Sequence, residues 1–138
     1  MSEPARATAS GPGRVLIAVY GVFALSATAR AGVQIATRFA EAPVPYLLSA
    51  LAGVVYILAT IGLAGRGPGA RRLAWGAVLF ELIGVLAVGT LTVFDSGDFP
   101  DDTVWSAYGR GYGFIPLVLP LVGLWWLRHT RAREARGR

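Results

Sequence analysis

At 138 residues, with 54% hydrophobic and 15% charged side chains, the chain is too apolar to clothe a soluble domain of its size, and a bilayer is its natural solvent. Cys is absent, which excludes disulfide staples, thiol catalysis, Cys-ligated zinc and iron–sulfur clusters. Net charge is +5 and all 13 basic residues are Arg, but they stand at the ends of apolar runs rather than among stacking aromatics, so no nucleic-acid partner is expected.

Residues 1–14 read as a polar N-terminal arm carrying Arg6 and Arg14. The first span is predicted over about 15–40, ending before "APVPY", where Pro43 and Pro45 interrupt a helix. A second follows over about 46–64 and a third over 73–94, the latter with Glu81 as its sole charge. The last span, about 104–127, extends "GFIPLVLPLVGLWWL" backwards into "VWSAYGRGYG", with kinking expected at Pro116 and Pro120, and a basic tail occupies 128–138. The predicted fold is all-α: a polytopic membrane protein whose four transmembrane helices form an up-down-up-down bundle.

Orientation follows from the arginines. Ten lie in the N-terminal arm, the loop "GRGPGARR" and the tail, against Arg38 and Arg110 on the other side, so the positive-inside rule puts both termini in the cytoplasm of a plasma-membrane protein with a single orientation. Trp75, Trp105, Trp125 and Trp126 fall near span ends and read as an interfacial belt. The N-terminus also imitates a secretory signal, with basic residues, the apolar "VLIAVYGVFAL" and small residues at Ala27–Ala29. Cleavage there would sever a recurrence of Ser26, Arg30, Gln34 and Arg38 every four residues. Residues 1–29 are therefore expected to stay attached, with that stripe lining the bundle.

Arg30, in the outer half of the membrane, and Glu81, nearer the midplane, are the charges placed at membrane depth, where an isolated charge costs roughly 2.5–3.5 kcal/mol on insertion scales. Both should face the bundle interior or water, and pairing between them is the first hypothesis. Counted from the cytoplasmic ends, Arg30 stands higher by roughly 10 Å at 1.5 Å per residue, so Tyr56 is the candidate bridge. It shares a face with Ser49, Gly53 and Thr60, while Ala74, Ala77 and Gly84 beside Glu81 leave room for a close helix. Arg30, Gln34, Tyr56 and Glu81 thus form a candidate polar seam. The competing reading is that small and hydroxyl residues are simply how membrane helices pack.

The outer loop supplies a second candidate site: Asp95, Asp98, Asp101, Asp102 and Arg110. Its spacing matches no calcium loop, and an acidic solvated turn is the competing account. The segment "VWSAYGRGYGF" suits an interfacial stretch or a lid over the seam. Its glycines make no phosphate loop, because no strand precedes them and no Gly-Lys-Ser/Thr follows. His129 is the single histidine, so a multi-histidine metal site is excluded within one chain, and neither a metal nor a cofactor is expected. No Ser/His/Asp, HExxH or paired-carboxylate motif appears, and no catalytic residues are assigned.

With "RAGVQIATRF", "YLLSALAGVVYILATIGLA" and "GYGFIPLVLPLVGLWWLRH", the chain resembles the small uncharacterised four-helix integral membrane proteins of GC-rich actinobacteria. The resemblance implies four plasma-membrane helices and no activity. Small multidrug transporters share the size and helix count, but their glutamate lies in the first helix and Glu81 in the third, so that site does not carry over. Three functions compete. The reading favoured by the sequence is a non-catalytic accessory subunit or self-associating scaffold, partnered by the bilayer and by a second copy or another membrane protein. The alternative is a small transporter or channel using Arg30, Tyr56 and Glu81. The third is a membrane enzyme acting on a lipid or quinone.

Overall fold

The computed structural model describes residues 11–95, 103 and 105–136, the last six as backbone alone. Four α-helices account for most of them: α1 (Pro12–Arg38), α2 (Pro43–Ala64), α3 (Gly67–Phe94) and α4 (Ile115–Arg136). A 3-10 turn, Phe39–Glu41, joins α1 to α2, and a 3-10 segment, Ser106–Tyr112, precedes α4. Each of the first three helices starts with a proline in its first two positions, where the missing N–H has no intrahelical partner to lose. Pro43 and Pro45 thus both end the first span and open the second.

α1 runs unbroken through Ala29 and Arg30. α1 and α2 pack antiparallel: a Cβ at Gly21 would meet Thr60, and one at Gly53 would fall 2.7 Å from the Thr28 hydroxyl. α2 and α3 cross most tightly where Gly62 faces the Ala74 backbone. α3 and α4 are also antiparallel, with Val78 beside Gly123 and, nearer one end, Arg71 donating to Thr130 Oγ1 at 3.2 Å and to the Leu127 carbonyl.

Among the described residues three helices are long and apolar enough to cross a membrane, four if the 3-10 segment and α4 count as one bent span. Large apolar side chains point outward, Leu25 (74% exposed), Ile83 (66%) and Phe94 (81%) among them, while Glu81 (0%) and Gln34 (2%) point in. So many exposed large apolar side chains around an apolar core suit a bundle compatible with embedding in a membrane.

The expected fourth helix over about 104–127 differs. The chain bends by 99° between the 3-10 segment and α4. Gly113 and Phe114 adopt left-handed φ of 65° and 60°, and Pro116 then falls in the first turn of α4, where it kinks nothing. Pro120 alone lies inside the helix. α4 continues through Arg128 to Arg136, so helix extends into the stretch read as a tail.

Candidate functional site

The core of the bundle is an aromatic column around one carboxyl. Glu81 is fully buried on α3, and its Oε1 accepts a 2.6 Å hydrogen bond from the Tyr20 hydroxyl of α1. Oε2 is buried with no hydrogen-bond partner. The Tyr20 ring lies 6.1 Å from Tyr56 of α2, Tyr56 packs edge-on against Phe23 at 5.5 Å, and Phe23 lies 5.9 Å from Tyr112. Tyr112 accepts a 2.5 Å hydrogen bond from Arg30. Contact is therefore continuous from Glu81 to Arg30, but the two charges do not meet.

The expected pairing of Arg30 with Glu81 is replaced by separate tyrosine partners, and the reason is axial distance. Tyr20, level with Glu81, precedes Arg30 by ten residues on α1, roughly 15 Å of rise. Tyr56 is hydrogen-bonded to neither charge among the described residues; its hydroxyl accepts from the Trp105 indole N–H at 3.0 Å. The face expected on α2 does point inward: Ser49, Gly53 and Tyr56 are buried and Thr60 is half-buried.

The stripe expected along α1 divides. Gln34 is buried, with its Oε1 lacking a partner, whereas Ser26, Arg30 and Arg38 are exposed and Arg38 approaches the Tyr46 ring. α1 buries Gly13, Leu16, Tyr20, Ala24, Ala27, Ala31 and Gln34 instead, and the three alanines among them let α2 approach closely.

Trp105, read from its position as an interfacial residue, is buried at 1% exposure with its ring against Gly84, where a Cβ would lie 2.6 Å from it. Trp126 is buried as well. Trp125 is exposed, and its ring stacks on His129 at 5.4 Å. Trp105 is a plug because the chain after it is held by several bonds at once. The Ala107 N–H donates to Thr92 Oγ1 at 2.8 Å, Thr90 Oγ1 and the Tyr108 hydroxyl lie 2.9 Å apart, and Thr103 and Ser106 cap the turn. These contacts hold Ala107 and Tyr108 at left-handed φ of 48° and 61°, a conformation costing about 1–2 kcal/mol per residue.

Of the acidic-loop candidates, Asp98, Asp101 and Asp102 lie outside the described residues, and Asp95 is an exposed residue closing α3. Arg110 instead joins Arg30, Thr103, Ser106, Gly111 and Tyr112 around an open cleft of about 410 Å³ at the head of the column. Among the described residues no three His, Asp or Glu side chains gather as metal ligands.

Tyr20, Trp105 and Tyr112 are the site residues that sequence reasoning missed. A signal existed for Tyr20, which sits at spacings of four, three and four from Ala24, Ala27 and Ala31. For Trp105 and Tyr112 the signal was only the aromatic, glycine-rich "VWSAYGRGYGF", read as an interfacial stretch or a lid; their individual partners follow from the bend before α4.

These features define a class: an apolar all-α bundle of three or four candidate membrane spans with buried polar contacts between its helices. No family model matches the chain, and no curated protein or solved structure matches it either.

Proposed function

We propose that this is a small plasma-membrane transporter or channel with four crossings and both termini in the cytoplasm, in which Glu81 takes up and releases the transported proton. The observation that carries this is the Glu81 carboxyl, wholly buried between helices with one oxygen bonded to Tyr20 and the other bare. Helix packing accounts for the oxygen bonded to Tyr20 but not for the bare one, which is why the reading favoured by the sequence yields here. A proton fits better than a metal cation, because calcium or magnesium needs six or more oxygen ligands and this carboxyl has one hydroxyl beside it. Intramembrane carboxyls characteristically serve as proton relays. Tyr56 and Trp105 form the second polar layer of the seam, and Arg30 with Tyr112 closes it at the outer end. Kinship with the small actinobacterial membrane proteins belongs to the same reading.

Protein reconstituted in liposomes containing a pH-sensitive dye should dissipate an imposed pH gradient, and Glu81→Gln, checked for helicity and monodispersity, should abolish the flux. Flux absent from the parent, or unaltered by Glu81→Gln, overturns the proposal. Orientation is tested separately by a reporter fused after Arg138, expected to be active only in its cytoplasmic sense; an extracytoplasmic signal of similar strength would contradict the arginine count.

A further inference from the structure

The cleft between α1 and the 3-10 segment has a chemistry of its own. Arg30 and Arg110, eighty residues apart in sequence, both line it, and none of its described lining residues is acidic. Arg30 commits one terminal nitrogen to Tyr112 and retains its other donors; Tyr112, as the acceptor, keeps its own O–H to give. Arg110 is exposed beside it, and the Gly111 backbone completes the rim. Two arginines and a tyrosine lining one cleft of about 410 Å³ match an oxyanion, which accepts bidentate bonds from arginine and offsets like charges held together. Arg30 lies eight residues before Arg38, roughly 12 Å along α1 from that end of the helix, and the 3-10 segment brings Tyr112 to it there.

We propose that this cleft is a phosphate-binding site, occupied by the phosphate of an anionic lipid headgroup or by the dissolved ion, with Arg30, Arg110 and Tyr112 as its donors. The site stands whether or not Glu81 moves protons, since no cleft residue is a proton carrier in that reading.

Two arms test it on the full chain in non-ionic detergent. Inorganic phosphate is titrated calorimetrically, and native mass spectrometry counts phosphatidylglycerol retained against phosphatidylcholine. Phosphate binding assigns the dissolved ion; selective phosphatidylglycerol retention without it assigns the headgroup. In either case Arg110→Gln should weaken binding about tenfold, Arg30→Gln at least as much, and added salt should weaken it further. Arg110 is exposed and makes no side-chain bond among the described residues, so its variant should fold even where the Arg30 variant does not. If carboxylates of this chain already neutralise the arginines, neither arm registers binding and the proposal fails. It fails equally if Arg110→Gln binds like the parent.

Discussion

Tyr20→Phe and Glu81→Leu should each destabilise the bundle by about 1–3 kcal/mol, while the double variant should lose little more than either alone. Tyr20→Phe strips the carboxyl of its hydrogen-bond donor and leaves both buried oxygens bare. Glu81→Leu strands the Tyr20 hydroxyl, which lies in a pocket that Gly123 keeps open. Replacing both partners by apolar groups removes the mismatch, so a double-mutant cycle should return a coupling of about 1–3 kcal/mol. Arg30→Gln combined with Glu81→Leu should add to within about 0.5 kcal/mol, because the two side chains share no partner. Reversible unfolding in mixed micelles supplies the numbers. Additivity between Tyr20 and Glu81, or strong coupling between Arg30 and Glu81, would show that the carboxyl is held differently.

The second large effect concerns Gly62. A Cβ there would fall 2.5 Å from the Ala74 nitrogen and 2.8 Å from its Cα, and these are backbone atoms that no rotamer change can move. Gly62→Ala must therefore part α2 from α3 and loosen the contacts on both sides of the crossing, at about 1–3 kcal/mol; Gly62→Val should cost more. Gly76→Ala is the control. Nothing lies within 4 Å of its Cβ position, and alanine is the better helix former, so its melting temperature should match or exceed the parent's. Equal behaviour of the two alanine variants in detergent melting curves would mean that the α2–α3 crossing is wider than described.

The physical economy of the bundle explains why these two sites dominate. In a bilayer, lipid tails would be as apolar as the outward-facing leucines and isoleucines, so little of the bundle's cohesion would come from burying them. Close backbone approach at Gly53 and Gly62, the Trp105 ring against Gly84, and hydrogen bonds such as Tyr20–Glu81 and Trp105–Tyr56 take that place. Both kinds of contact depend on one neighbour each, which makes single substitutions costly.

By itself the sequence determined the helical class, three helices long and apolar enough to cross a membrane, and the two charges lodged within apolar runs, because these depend on local composition and length. It also determined that Ser49, Gly53 and Tyr56 share an inward face, since helical periodicity is a local property. Which groups those charges meet was decided by the tertiary structure alone. Partner choice rests on axial level and rotation between helices distant in sequence: Tyr20, sixty-one residues from Glu81, sits at its height, and Arg30 does not. The bend before α4 had the largest consequences. Glycines and Phe114 in left-handed conformations turn the chain by 99°, and that turn carries Trp105 from an expected interfacial position into the core and brings Arg110 beside Arg30. A periodic reading cannot foresee such a turn, because the contacts that hold Ala107 and Tyr108 in costly conformations come from Thr90 and Thr92 on another helix.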